Sequence, residues 1–548
     1  LECLQRGKLG WNSAKPHHRL NLEVRKLLAR TSLQLGTFDR CHKLCSEIRA
    51  NGRSIRETRD AFVIECCAFR AQDKLSEAMD FGLSVLTDLN VHIPKAPSAF
   101  QVLGKIIRVR RLLRRRFGRD HGARNDILEW PESTDERASC IATLLSSCGL
   151  IAHVEEKKNF TIYAFLYIVQ HALQQEVFFA DSSPFAFTLY GYVELMFGKE
   201  DLAFQYGDLV LQMLKRPNTD TDRSRSIFAT TCYLLRSKQL VKECVEPCFR
   251  SYEIALSTGD VDGASLCLKG HMFFAMLADR NLVELNRRVQ EHCLRFKKDY
   301  KQEIFFQWIS AIWQSLHCMI GKAESPTTLT GDVIVEEEAI AMAQHSKNEM
   351  LLASFYGTKL DLVVLFEATT QSEAAVFEYC RAATALNVVH FGVRMAYFSS
   401  ALAHVDFVRA RLDKRRLAPF FKKSLKLFRT WKARGLVNET PYCLVLEAEK
   451  ASLSLLSSKK PISNGGIDRV MAMYSQGIAA AKAAGFRRLE AQATERAGRL
   501  LIHANRLARA EVYIGKAKGL FLGWGAVAKV EDMRSKYAFF AAAKSSVT

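Results

Sequence analysis

Glycine and proline are scarce in this sequence: its 548 residues include 29 Gly and 11 Pro, below the usual shares of about 7% and 5%. Folds built from short strands need many turns, so this scarcity disfavours a β-rich fold and favours long helices. Apolar residues make up 48% of the chain, charged residues 25% and aromatic residues 10%. This composition is typical of a folded globular protein and excludes disordered, collagen-like and mucin-like classes.

Motifs of nucleotide and acyl-transfer chemistry are also missing. The P-loop string GxxxxGK[ST], the nucleophile elbow GxSxG and the kinase strings HRD and DFG do not occur. The GWGAVA string at 523–528 matches the dinucleotide pattern GxGxxA, but a helical pattern precedes it and no acidic residue follows about 20 positions on. We therefore predict a helix–helix turn there, no catalytic residue in this chain and no bound cofactor.

Cysteine and histidine show no metal-binding pattern. Zinc sites usually draw on closely spaced ligand pairs, whereas Cys41 with Cys45, and Cys244 with Cys248, have the i,i+4 spacing of one helix face. The 15 cysteines also lack the dense framework of short secreted domains. We predict no metal site, buried cysteines and a reducing, cytoplasmic location.

Apolar residues recur at spacings of three and four along nearly the whole chain, which is the period of a helix face. The pattern breaks at single small or polar residues, and the breaks at 36 and 73 are separated by 37 positions. This spacing is close to the roughly 34-residue tetratricopeptide period. We expect helix–helix turns at Gly36, Asp73, Gly198, Gly259, Asn505 and Gly525.

The predicted fold class is all-α, an α-solenoid of about two dozen helices stacked as tetratricopeptide-like antiparallel hairpins, because one hairpin alone cannot bury both its faces. Three irregular stretches interrupt the series. The expected organisation is N-terminal repeats at 1–117, a linker at 118–134, central repeats at 135–321, a loop at 322–332, repeats at 333–457, a loop at 458–466, C-terminal repeats at 467–543 and the start of a linker at 544–548.

Charge is distributed unevenly within the net +20: residues 1–150 carry +9, residues 151–400 carry −6 and residues 401–548 carry +17. Basic ends would attract acidic partners or complement an acidic neighbouring domain. The densest basic run, interleaved with Ile106, Ile107, Val109 and Leu113, predicts a basic amphipathic helix. The candidate anion-binding residues on it are Arg108, Arg111, Arg114, Arg115 and Arg119.

The sequence leaves open what this Arg-rich helix contacts. It could contact an anionic membrane surface, RNA or an acidic partner domain, or it could be the solvated outer face of one solenoid helix. Specific nucleic-acid binding is the least favoured of these, and peripheral membrane contact through the helix is retained as a hypothesis.

Short motifs follow one another in order along most of the chain: GTFD at 36–39, LNVHIP at 89–94, LEWP at 128–131, YGDLVL at 206–211, SPTTLTG at 325–331, AGF at 484–486 and WGAVAKV at 524–530. Their order and spacing resemble the helical-repeat region of large multidomain signalling ATPases. In that family a serine/threonine kinase domain and a P-loop NTPase domain precede the repeats, and GAF and histidine-kinase modules often follow them.

The resemblance implies a non-catalytic regulatory or sensor scaffold within a longer polypeptide. Its partners would be the adjoining kinase, NTPase and output domains, coupled through protein–protein contacts and ligand-dependent repacking of hairpins. The resemblance also implies a P-loop NTPase in the upstream reading frame and a GAF, histidine-kinase or cyclase-type domain downstream. The alternative is a stand-alone solenoid adaptor that binds a peptide or nucleic acid in its concave groove.

Overall fold

The computed structural model describes residues 15–118, 126–219, 222–300, 303–346, 348–366, 368–457 and 462–537. Over these residues the protein is an all-α solenoid of 25 α-helices without a β-strand, which confirms the predicted fold class. In the same ranges, pairing of strand type is limited to one isolated bridge between Glu132 and Phe178. Asn464 already begins a helix inside the loop expected at 458–466, and residues 458–461 and 538–548 lie outside the described ranges.

The α-helices are numbered in chain order, and short π-helical and 3₁₀ turns interrupt the series. The first nine are α1 (Lys15–Gln34), α2 (Phe38–Asn51), α3 (Ile55–Ala71), α4 (Leu75–Asp88), α5 (Ala99–Phe117), α6 (Asp126–Glu129), α7 (Glu136–Val154), α8 (Lys158–Gln175) and α9 (Ser183–Met196). Next come α10 (Glu200–Met213), α11 (Arg223–Ala229), a π-helical turn (Thr230–Leu234), a 3₁₀ turn (Leu235–Ser237), α12 (Val241–Thr258), α13 (Val261–Leu277), α14 (Leu282–Lys298) and α15 (Glu303–Ile320). The remainder are α16 (Glu336–His345), α17 (Glu349–Leu365), a 3₁₀ turn (Ala368–Thr370), α18 (Glu373–Ala383), α19 (Phe391–Arg409), α20 (Ala418–Ala433), α21 (Thr440–Leu456), α22 (Asn464–Ala484), α23 (Arg487–His503), α24 (Leu507–Trp524) and α25 (Val527–Lys536).

Many of these helices end at a residue in the left-handed backbone conformation. At the end of α1, the Gly36 N–H donates to the carbonyl of Leu33 and the Thr37 N–H donates to that of Ser32, which is the hydrogen-bond pattern of a Schellman cap. Positive φ angles of 54° to 88° occur at all six positions at which the sequence predicts turns: Gly36, Asp73, Gly198, Gly259, Asn505 and Gly525.

The hydrophobic core consists of three clusters of buried residues that follow one another along the chain. A small cluster joins α1, α2 and α3, a second extends from Leu75 to Leu234, and the third extends from the middle of the chain to Tyr537. Ile127 and Trp130 belong to the second cluster, so residues of the stretch expected as a linker at 118–134 contribute to its packing.

Successive turns of the solenoid pack on each other. Glu439 accepts a hydrogen bond from Arg236 at 2.9 Å, and both side chains are buried. Asn438 accepts from the Val241 N–H at 3.0 Å and donates to the carbonyl of Gln239 at 2.8 Å. Elements about 200 positions apart in sequence therefore touch, and hydrogen bonds between layers satisfy helix ends that would otherwise lack partners.

Part of the basic C-terminal third pairs with the acidic middle of the chain. Arg434 contacts Glu200 at 3.4 Å, Arg487 pairs with Asp279, and Arg488 donates to Asp361 at 2.6 Å. The charge asymmetry seen in the sequence is thus partly neutralised within the chain itself.

Candidate functional site

The Arg-rich segment forms α5, and its ends are well defined. At the N-terminus, Ser98 Oγ accepts from the Gln101 N–H at 3.3 Å, and Gln101 Oε1 accepts from the Ser98 N–H at 2.8 Å. This capping box fixes where the helix begins. The arginines occupy the C-terminal half, where positive charge interacts favourably with the helix dipole. The buried face consists of Val102, Ile106, Val109 and Leu113.

Two arginines of α5 are structural. Arg110 donates from Nε and Nη2 to the two carboxylate oxygens of the buried Glu194, both at 2.9 Å, and Tyr190 donates to the same carboxylate at 2.7 Å. Burial opposes the charge of Glu194, but the hydrogen bonds from Arg110 and Tyr190 outweigh it and hold the pKa of Glu194 below its usual value. Arg116 pairs with Glu176. These two arginines are thus occupied in attaching α5 to its neighbours.

The inner side of α5 is further fixed on α8 through Lys105. The Lys105 ammonium lies 4.8 Å and 4.7 Å from the ring centroids of Tyr163 and Tyr167, and it donates to Gln170 Oε1 at 3.1 Å. Burial, together with the nearby charge of Arg108, lowers the pKa of Lys105 to about 8. The helix is therefore held in one orientation, and its outer side is defined.

Four of the five predicted arginines lie on that outer side. Arg108, Arg111, Arg114 and Arg115 are exposed and, within the described ranges, have no ion-pair or hydrogen-bond partner. Arg119 lies outside the described residues. The four arginines that the structure describes therefore share one exposed side of the helix, and anion binding there stays a prediction.

Exposed apolar residues share this side of the helix. Phe100 is 86% exposed, Leu103 45% and Ile107 41%. Ile107, one of the apolar residues interleaved with the arginines, points toward solvent on the arginine side, whereas Ile106 is buried. We define the α5 face as Phe100, Leu103, Ile107, Arg108, Arg111, Arg114 and Arg115.

The α5 face is divided along the helix axis. At a rise of about 1.5 Å per residue, the apolar half from Phe100 to Ile107 and the basic half from Arg108 to Arg115 each extend about 10 Å. Positions 100, 103, 107, 111 and 114 follow the i,i+3/i+4 stripe of one helix side. The density of the arginines marks the basic half in the sequence, whereas the only sequence signal for Phe100 and Leu103 is their helical spacing from Ile107.

Among the described residues, no group of three or more His, Cys, Asp or Glu side chains has an arrangement that could hold a metal ion. The 14 cysteines in those ranges are free thiols, and all but Cys67 are buried.

One helix in the described ranges, Glu136–Val154, is long and apolar enough to cross a membrane by composition, yet 67% of that segment is buried inside the fold.

Comparison with known proteins gives little further information. No protein-family model matches the chain, and no curated protein sequence matches it. Among solved structures, one similar chain is described as a "Circular tandem repeat protein with novel repeat topology and enhanced subunit contact surfaces". It is 13% identical, with 94% of this chain and 97% of that chain covered and a TM-score of 0.17. Such a likeness carries no information about function.

Proposed function

We propose that this chain is a non-catalytic regulatory scaffold of a multidomain signalling ATPase and protein kinase. In this proposal it couples upstream kinase and NTPase modules to a downstream output module, and it contacts one of these domains through the α5 face. The observation that carries the proposal is a fixed helix with four arginines that pair with none of the described residues and three exposed apolar side chains on the same side. A helix that only faced solvent would gain nothing from exposing Phe100, Leu103 and Ile107.

The division of the α5 face along the helix axis favours a protein partner. A helix lying in a membrane interface separates its apolar and charged residues around its circumference, so that the apolar side faces the lipid. In α5, by contrast, Phe100 and Ile107 share a stripe with Arg111 and Arg114. A partner with an apolar pocket beside an acidic cluster would match both halves, and arginine and aromatic residues are the usual anchors of such interfaces.

The contacts between solenoid layers support the coupling part of the proposal. Arg236 and Arg394 converge on the buried Glu439, which joins the segment after α11 to the start of α21. A displacement of one hairpin must be accommodated by the layer that packs on it. Repacking of hairpins would therefore transmit a change at one domain contact to another.

The proposal is tested by isothermal titration of this chain against the domains encoded on either side of it, expressed separately. We expect the variant Arg111→Gln/Arg114→Gln/Arg115→Gln to bind at least about tenfold more weakly and to show a smaller salt dependence, because surface charge pairs are screened. Lys422→Gln/Lys426→Gln/Lys450→Gln is the matched control, since it removes the same charge from exposed positions elsewhere. It should bind within about twofold of the parent chain.

Other outcomes distinguish the alternatives. Equal binding by both triple variants contradicts docking through the α5 face. Arginine-dependent binding to phosphatidylserine vesicles or to RNA, with none to the flanking domains, replaces the protein partner by a membrane or a nucleic acid. A surrounding reading frame without a P-loop string contradicts the signalling-ATPase assignment and leaves the stand-alone adaptor.

A further inference from the structure

A cavity of about 250 Å³, partly open to solvent, lies between helices of the solenoid, away from the α5 face. It is lined mainly by α13, α15, α17 and α19, with contributions from the π-helical turn and from the first turn of α23. Most of its wall is apolar, and its larger side chains include Phe273, Trp308, Met350, Leu386 and Phe391.

Among the described residues of this wall, one cation lacks a counter-ion. Lys269 extends over the Trp308 ring, with its ammonium 4.8 Å from the centroid, and within the described ranges it has no hydrogen-bond or ion-pair partner. A partly desolvated ammonium without an acceptor is unfavourable, so burial lowers the pKa of Lys269 to about 8.

The other polar groups that line the cavity are neutral or paired. Asp361 accepts from Arg488 at 2.6 Å and from Ser399 at 3.1 Å, so its charge is compensated. Burial holds the pKa of His390 at about 3, which keeps its imidazole neutral, and it lies 3.3 Å from the Tyr233 hydroxyl. Burial also raises the pKa values of Tyr233 and Cys232, the remaining titratable groups in the lining.

We propose that this cavity binds a small monocarboxylate with an apolar body, its carboxylate on the Lys269 ammonium and its ring or chain against Trp308 and Phe273. A single negative charge matches the single unpaired cation, and the apolar wall matches the body. Since a cavity of about 150 Å³ holds benzene, 250 Å³ has room for about ten to twelve non-hydrogen atoms.

The test is isothermal titration of the whole chain with 3-phenylpropionate and octanoate, and with the uncharged analogue 3-phenylpropan-1-ol. We expect Lys269→Gln to weaken binding of both carboxylates at least about tenfold and binding of the alcohol less than about twofold. Lys297→Gln is the matched control, because Lys297 also lies over an aromatic ring, 5.5 Å from the centroid of Phe306, but outside the cavity. It should leave binding unchanged.

Two further measurements locate the ligand. Raising the pH from 7 to 9 should weaken carboxylate binding but not alcohol binding, because Lys269 loses its proton in this range while His390 is neutral throughout it. Gly357→Leu should abolish binding of every probe. A Cβ at position 357 would meet only the Ala383 Cβ at 3.7 Å, so the backbone accepts the change while the side chain fills the cavity.

Absence of carboxylate binding at millimolar concentrations overturns the proposal, as does equal binding by the parent chain and Lys269→Gln. Binding that survives Gly357→Leu places the ligand elsewhere and overturns it as well. The Arg111→Gln/Arg114→Gln/Arg115→Gln variant should bind the carboxylates normally. The cavity and the α5 face share no residue, so failure of one proposal leaves the other standing.

Discussion

Four charged side chains meet in the interior of the C-terminal half of the chain. Arg409 and Arg496 lie on α19 and α23 and both pair with Glu449 of α21, and Arg496 also contacts Asp406 at 3.0 Å. All four side chains are at most 2% exposed. Burial opposes the charge of Glu449, but Arg409 and Arg496 outweigh it and hold the pKa of Glu449 below its usual value.

Glu449→Gln should lower the free energy of unfolding by about 3–5 kcal/mol, because it leaves two buried guanidinium groups with too little negative charge. The midpoint of urea unfolding, followed by circular dichroism, measures the effect. Glu447→Gln is the matched control two positions away, since Glu447 forms more exposed pairs with Arg429 and Lys432. Glu447→Gln should lower the free energy of unfolding by less than about 1 kcal/mol. Equal urea midpoints for the two variants would show that stability does not need the buried pairs of Glu449.

At the scale of a single element, Gly525 ends α24 with φ +88° and abuts the start of another helix. A Cβ there would lie 3.1 Å from Asn281 Oδ1 and 3.2 Å from the Leu282 nitrogen. Asn281 caps α14 by accepting from the N–H groups of Val283 and Glu284. The turn therefore needs glycine both for its backbone conformation and for close packing against the neighbouring layer.

Gly525→Ala should destabilise the chain by about 2–3 kcal/mol, the sum of left-handed strain and displacement of the Asn281 cap. Gly435→Ala is the control: Gly435 also has a positive φ, +76°, but no atom lies within 4 Å of its added Cβ. It should cost only about 1 kcal/mol. Thermal unfolding of the two variants measures the difference, and equal shifts in Tm would mean that strain alone accounts for both.

At the scale of the whole molecule, His153 at the end of α7 stacks on His390 before α19, with ring centroids 5.5 Å apart. Burial lowers the pKa of His153 to about 4 and that of His390 to about 3. Both rings are neutral in the folded chain at pH 5, whereas unfolded histidines have a pKa of about 6.5 and take up protons. The two neutral histidines therefore stabilise the folded chain fully above about pH 6.5, and this stabilisation is lost as the pH falls toward 4.

His153→Phe should therefore reduce the loss of stability between pH 7 and pH 5 by about 1–2 kcal/mol. Urea unfolding at the two pH values measures this, with His503→Phe as the control because His503 is exposed at the end of α23. A pH dependence unchanged by His153→Phe would rule out the stacked pair as a source of acid sensitivity.

The sequence by itself determined the fold class and six of the places where helices end. Both depend on local chemistry: apolar spacing selects the helix, and residues such as Gly36 and Asp73 adopt the left-handed conformation that ends one. The cluster of Arg108, Arg111, Arg114 and Arg115 was equally predictable, because helical spacing of charge is a property of one element.

Only the tertiary structure decided what surrounds each helix. The outward orientation of Ile107, the Glu439 and Asn281 contacts between layers and the cavity beside Lys269 all depend on how helices from different parts of the chain pack on one another. That packing is the sum of many contacts between helices, and no single segment encodes it. The same packing brings the basic C-terminal third against the acidic middle, where Arg488 meets Asp361.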